Sequence, residues 1–273
     1  MSQITAKQVG ALRSITGAGM MDCKKALVEA QGDKEKAIEI LRKKGQKVAS
    51  KRSDRTSSQG FLLASVNDSQ TEGILFSLNC ETDFVAKNQE FQDLAKQLAP
   101  IALKKDKEDL LATVIDHQTV ADKLSQLTGN TGEKIEIGAY LKLQAPYVGH
   151  YVHNGNQMGA LVGLDQVIDA AAELSQNIAM QVVAMKPLAL DQSGIDPKII
   201  AQEREVAKEL LIKEGKPEHL LDNIIKGKLQ KFYKENTLLN QLSIIEEKLT
   251  VKNYIKSIDS SVSVTKFQLY SLG

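Results

Sequence analysis

The chain has 273 residues, 42% of them apolar and 25% charged, with 35 Lys and Arg against 34 Asp and Glu for a net charge of +1. That apolar share can build hydrophobic cores and excludes wholesale disorder, while a charge this close to zero gives no long-range field to gather a polyanion, which argues against a dedicated nucleic-acid binder. Aromatics at 4% and the absence of Trp disfavour base-stacking platforms and aromatic cages, and suit a helix-rich chain built on Ala, Leu and Ile.

Thr5, with Gln8 three residues on, has the spacing of a capping box, and Val9, Leu12 and Ile15 supply one apolar side of the helix it opens. Gly17 and Gly19 break the chain. A second helix is predicted from near Asp22, with Cys23, Ala26, Leu27 and Ala30 at i, i+3, i+4 and i+7 on one face. Gly32-Asp33 stops it and caps a third helix, whose face is Ala37, Ile38 and Leu41 and whose predicted stop is Gly45. Three helices of about 10 residues make a core that is marginal alone, as in a docking module. Lys47 to Ser58, with Lys47, Lys51, Arg52 and Arg55 among serines, reads as an exposed connector: a solvated face, or a contact for an acidic partner.

From Gly60 the period changes. Phe61–Val66 and Ile74–Leu78 are apolar runs around the turn signal Asn67-Asp68-Ser69 and predict a hairpin. Phe91, Leu94, Ala95, Leu98 and Ala102 form a helical stripe, and Val120, Leu124 and Leu127 a shorter one. Ile135, Ile137, Ala139, Leu141 and Leu143 alternate as in a half-buried strand. The pattern then partly recurs. Tyr147–His153 and Ala160–Leu164 predict a second hairpin, Ile168–Met185 a long helix stopped at Lys186-Pro187, and Val262, Val264, Phe267 and Leu269 a closing strand. Two related α+β lobes are expected. Between them lies an insertion. Asp196-Pro197 opens a helix with Ile199, Ile200, Val206, Leu210 and Leu211. Gly215-Lys216-Pro217 breaks it, and a second helix carries Leu220, Leu221, Ile224, Ile225, Leu229 and Phe232, an antiparallel helical arm.

No catalytic constellation emerges. His117, His150, His153 and His219 lack metal-ligand spacing apart from the weak His150-x-x-His153, and no P-loop, nucleophile elbow or dinucleotide fingerprint is present. Cys23 and Cys80 are too few for a disulfide framework or a cysteine zinc site and read as buried reduced thiols. The opening MSQITAKQVG lacks a basic segment followed by an apolar one, and no apolar run approaches the ~18 residues of a membrane span, so a cytoplasmic protein without signal or anchor is expected. The initiator Met favours a bacterium over a trimmed organellar import product.

One segment stands apart: Asn79-Cys80-Glu81-Thr82-Asp83-Phe84-Val85-Ala86-Lys87-Asn88, placed after a strand and before an amphipathic helix. From composition alone Phe84 either fills its own core or, with Asp83, points outward as a wedge for another protein. The string from Thr82 to Asn88 resembles the signature of the elongation factor Ts family. Thr16-Gly17-Ala18-Gly19-Met20-Met21-Asp22-Cys23-Lys24-Lys25-Ala26-Leu27 is similar to that family's N-terminal signature. Tyr151-Val152-His153 with Gly159-Ala160-Leu161-Val162 resembles a third block, and Gly215-Lys216-Pro217, Gly227, Lys231-Phe232-Tyr233 and Leu238-Leu239-Asn240-Gln241 resemble its helical arm and return. The blocks run in family order across nearly the whole chain.

The resemblance implies an α+β fold: an ubiquitin-associated-like three-helix module and linker over 1–55, a first α+β subdomain over 56–143, and a second over 144–273 with a coiled-coil hairpin inserted at about 196–236. It implies a guanine-nucleotide exchange factor, with no catalytic site of its own, that binds elongation factor Tu with GDP and displaces its magnesium ion. By similarity Thr82, Asp83, Phe84 and Val85 form the wedge, and Met20, Met21, Lys24, Arg52 and His153 contact the partner. No metal, cofactor, membrane or direct nucleotide binding is implied for this chain. Because adjacent residues do not share one helix side, one of Met20 and Met21 is expected to be exposed. Three positions depart from the family pattern. Thr131 replaces an Ile beside the wedge in a block that here reads Asn130-Thr131-Gly132-Glu133, Arg52 replaces a Lys, and Gln181 replaces a common His. The rival reading is a ribosome- or RNA-associated interaction protein without exchange activity, with Lys47–Arg55 touching RNA.

Overall fold

A computed structural model describes residues 4–273. The first three residues of the MSQITAKQVG segment, on which the expectation of no signal partly rests, lie outside the described residues.

Helix α1 (Ala6–Thr16) opens on the expected capping box: Thr5 Oγ1 accepts from Gln8 N, and the Gln8 side chain accepts from Thr5 N. Gly17, at φ +65°, ends it in the left-handed conformation that favours glycine. Helix α2 (Met20–Glu29) buries Cys23, Ala26 and Leu27, and α3 (Lys34–Lys51) is capped by the Asp33 carboxylate on Lys36 N. Two expectations fail here. Ile15 is 52% exposed, and the core side of α1 is completed by Thr16, whose hydroxyl donates to Leu12 O. Gly45 does not stop α3, which runs six residues further and makes Lys47–Lys51 helical. The glycine serves close packing instead: a Cβ on Gly129 would stand 2.7 Å from Gly45 Cα, and one on Gly45 would stand 2.9 Å from Ser125 O.

Strands β1 (Gln59–Val66) and β2 (Glu72–Cys80) pair antiparallel around the Asn67 turn, where Asn67 Oδ1 accepts from Thr71 N and Glu72 N. There follow α4 (Asp83–Ala86), α5 (Gln89–Lys104), α6 (Lys107–Ala112), the two-residue strands β3 (Val114–Ile115) and β4 (Gln118–Thr119), and α7 (Val120–Thr131). Helix α7 carries Gly129 against α3. Strand β5 (Glu136–Gln144) pairs antiparallel with β2, giving the order β1-β2-β5. Phe76, Phe91 and Leu98 are fully buried where α5 crosses this sheet.

The second sheet repeats the plan. Strands β6 (Tyr147–Val152) and β7 (Met158–Leu164) form a hairpin, α8 (Ala171–Met185) covers it, and β8 (Val264–Ser271) pairs antiparallel with β7 in the order β6-β7-β8. Helix α8 starts three residues later than the apolar run suggests and ends at Lys186, φ +46°, just before Pro187. Between α8 and β8 come α9 (Pro197–Lys213), α10 (Glu218–Asn236) and α11 (Val251–Ile258). Ala207 and Leu211 of α9 meet Leu221 and Ile225 of α10, a pairing only antiparallel helices allow. Val206 and Leu210, expected on the buried stripe, are 55% and 45% exposed, and the buried side of α9 is carried by Ala207 and Leu211.

The sheets join through a small apolar seam: Leu62, Leu75, Ala139 and Leu143 against Val148, Leu161 and Leu272. Leu62 N donates to Asn156 O at 2.7 Å, and Asn156 Nδ2 returns a bond to Leu62 O at 2.9 Å. The architecture is mixed α+β with small antiparallel sheets. No helix among the described residues is long and apolar enough to cross a membrane.

Candidate functional site

The turn after β2 is fixed from beneath by a row of polar contacts. Thr82 is extended (φ −127°, ψ 156°) at the start of α4 but spends no side-chain bond on capping it. Instead Thr82 N donates to Glu133 Oε2 at 3.0 Å, and Thr82 Oγ1 donates to Glu133 Oε1 at 2.6 Å. One residue earlier, Glu81 accepts from Lys134 N at 2.7 Å and from Arg52 NH1 at 2.8 and 2.9 Å. The backbone bond from Lys134 and the Arg52 guanidinium hold the Glu81 carboxyl below the usual range, against the opposing pull of burial. Cys80 lies deeper. Burial pushes its thiol up to about 12, with a smaller contribution from the Glu133 charge, and its Sγ donates to Thr82 O at 3.2 Å.

On this footing sits the single turn of α4. Val85 is half-buried against the first core and Ala86 is buried, whereas Phe84 is 83% exposed. The alternative in which Phe84 fills its own core does not occur. A helix places successive residues about 100° apart, so seating Val85 and Ala86 inward turns the ring to solvent. Asp83, at the first turn, pairs with Lys87 Nζ at 2.6 Å, and that bond lowers its carboxyl.

Met20 and Met21 are 56% and 63% exposed, and Lys24 is exposed beside them. The expectation of one exposed methionine is corrected: at the first turn of α2 the buried face starts at Cys23, so both Met positions fall on the open arc. Arg52 is drawn inward to Glu81 and so joins the Thr82–Val85 turn. His153 is exposed at the end of β6, with Nδ1 3.1 Å from the Tyr151 hydroxyl, and none of its hydrogen bonds among the described residues reaches the Phe84 turn. Thr131 donates its hydroxyl to Leu127 O at 2.8 Å. Gln181 is 1% exposed; its amide donates to Gln241 Oε1 and Leu242 O and accepts from Ile244 N. Cys23 and Cys80 are free and buried.

Helix α7 connects the two exposed apolar groups. In its second half, Gln126 Nε2 and Asn130 Nδ2 donate to Thr16 O at 2.6 and 3.0 Å, which ties α7 to the end of α1, four residues before Met20 opens α2. Arg42 of α3 pairs with Asp122 on the same helix. Its last residues lead into Gly132 and Glu133, the support of Thr82. Glu133 is the support of this turn that sequence reasoning passes over. The signal was its place at the end of the Asn130–Glu133 block, but its partner lies 51 positions away. Among the described residues no group of three or more His, Cys, Asp or Glu is placed to hold a metal.

The family model described as elongation factor TS matches residues 81–273, from the Phe84 turn to the end of β8 and beyond. The chain is 52% identical to the elongation factor Ts of Christiangramia forsetii and 50% identical to that of Flavobacterium psychrophilum, over 100% of both chains in each comparison. It is 42% identical to the elongation factor Ts of Porphyromonas gingivalis over 98% of each.

Proposed function

This chain belongs to the elongation factor Ts family of translation elongation factors, and from that premise we propose that it binds elongation factor Tu carrying GDP and drives nucleotide release with the ring of Phe84. GTPases hold nucleotide through a P-loop, a lysine and a magnesium ion that bridges the phosphates. Phe84 enters between helices of the partner and shifts the elements that hold that ion. Asp83, at the base of the ring, reorganises hydrogen bonds there. With the ion displaced, phosphate charge is left unneutralised and GDP leaves. This chain need not touch the nucleotide.

Energetically, the exchange factor must bind the opened, metal-poor partner better than the closed one, since equal affinity would shift nothing. The coupling is reciprocal: to the extent that this chain weakens GDP, GDP weakens this chain. Release and rebinding of nucleotide are therefore both faster, and the cellular excess of GTP sets the direction. The helices over 1–55, with Met20, Met21 and Lys24, dock on the partner as a ubiquitin-associated-like module. The regions 56–143 and 144–273 are two subdomains. The second contributes His153 to a separate contact and bears the coiled-coil hairpin. The work is cytoplasmic.

One observation carries this reading: an aromatic ring 83% exposed on a turn whose backbone is otherwise tied down. Exposed aromatics on rigid supports are the anchors of protein interfaces. The test is release of fluorescent GDP from elongation factor Tu, with and without this chain. Wild type accelerates release, and Phe84→Ala folds normally yet accelerates it far less. Unchanged acceleration by Phe84→Ala removes the wedge from the mechanism.

A further inference from the structure

The direction in which Phe84 leaves the surface is not set by α4 itself. A helix of one turn lies below the length at which helices hold themselves. The pairing of β2 with β5 ends at Asn79 opposite Glu136, three residues short of Thr82. Beyond that point side-chain carboxylates continue the work of backbone carbonyls. Glu133 takes Thr82 N and Oγ1, and Glu81 in turn takes Lys134 N, so the stretches 81–82 and 133–134 are laced in both directions. Glu133 can reach Thr82 because Gly132, at φ +74°, reverses the chain at the end of α7 while its N–H bonds Thr128 O. Hydrogen bonds to an ionised acceptor are roughly twice as strong as neutral ones, and Glu133 has both carboxylate oxygens on a single residue.

We infer that Glu133 is a positioning residue for exchange: by holding Thr82 it aims Phe84, and so sets the rate of GDP release and not the grip of the two proteins on each other. The inference rests on the reading of Phe84 as the wedge. A ring that must enter a partner along one path loses much of its effect when its base shifts, since a displacement of about 1 Å in a reacting geometry can cost ~100-fold. Exposed docking groups such as Met20 and Met21 keep their positions without Glu133, because Gln126 and Asn130 seat that module independently.

The experiment is stopped-flow release of fluorescent GDP from elongation factor Tu across a range of concentrations of the full chain, which separates the maximal rate from the half-saturating concentration. For Glu133→Ala the expected result is a maximal rate lower by about tenfold, with the half-saturating concentration within about twofold of wild type. Glu133→Gln restores at least half the rate, because its amide keeps both contacts once the Thr82 hydroxyl turns to accept. Thr82→Val, which leaves Glu133 in place and removes one bond from the other side, slows release in the same way and carries the test where Glu133→Ala does not fold. A Glu133→Ala maximal rate within twofold of wild type overturns the inference. So does a loss confined to the half-saturating concentration, or a Glu133→Gln as slow as Glu133→Ala. Phe84→Ala is run beside them. If it is slow while Glu133→Ala is normal, the positioning role alone falls; if it too is normal, the wedge reading falls.

Discussion

The turn after β2 and the turn after β7 occupy the same place in two sheets of one topology, and both are tied to the residue run that enters the neighbouring strand. In the first, Glu133 before β5 accepts from Thr82 N and Oγ1. In the second, Asp165 after β7 accepts from Ser263 N at 2.9 Å and Ser263 Oγ at 2.6 Å, before β8. The tie is the same, with the carboxylate on opposite sides. Each turn also shows one apolar residue to solvent, Phe84 at 83% and Val167 at 68%. The difference is what lies between tie and long helix: the first turn inserts the helical turn α4, which lifts an aromatic ring outward, whereas the second runs without helix into α8 with a small aliphatic side chain. The carboxylate tie therefore belongs to the fold, and the displayed ring does not.

The comparison breaks most sharply at the two exposed side chains. Phe84→Ala should slow stimulated GDP release by about 100-fold, or roughly 2.7 kcal/mol of lost barrier lowering. Val167→Ala should leave release within about twofold, and neither should move the thermal midpoint, since neither ring nor isopropyl group is buried. Equal effects of the two substitutions would mean that exposure alone, and not the mounting of Phe84, decides. A second test works through the support. Gly129→Val forces a side chain into Gly45, where a Cβ would already stand 2.7 Å from Cα, and overpacking of this kind costs about 1–3 kcal/mol. Because α7 leads into Glu133, backbone hydrogen exchange should rise over residues 82–88 while residues 165–170 stay protected. A uniform rise across both turns would show that α7 does not act on the first one specifically.

These contacts also mark where the sequence stops being legible. The caps at Thr5 and Asp33, the alternation in β5 and the apolar faces of α5 and α8 are local, and period and capping residues reveal them. Gly45 looks like a helix stop because in sequence a glycine that ends a helix and one that lets two helices touch are alike; only Gly129, 84 positions on, tells them apart. The exposure of Phe84 follows from Val85 and Ala86 facing inward, but composition alone leaves that phase open, and the family signature was needed to choose the outward reading. Glu133 was invisible for a third reason. A carboxylate that bonds a backbone N–H outside any strand carries no periodic signal, and its partner Thr82 lies 51 positions away.

The smallest effects should come from titrating two carboxylates, Glu81 beside the first tie and Asp165 in the second. Glu81, laced beside Thr82, has its carboxyl held low by the Lys134 N–H and Arg52. Asp165 is held low as well: burial raises it, but the Ser263 hydroxyl and N–H outweigh that. A carboxyl with a lower pKa in the folded than in the unfolded chain contributes stability above the ordinary carboxylate range, near pH 4, and loses it as pH falls through the folded value. Glu81→Gln and Asp165→Asn should therefore each flatten the loss of stability between about pH 5 and pH 3, read as urea midpoints against pH. A variant curve parallel to wild type would show that its carboxylate carries no such linkage. At neutral pH the pair should separate again. Glu81→Gln, which loosens the base of Phe84, should slow stimulated GDP release by about threefold. Asp165→Asn should not slow it at all, because the tie it weakens has no ring to aim.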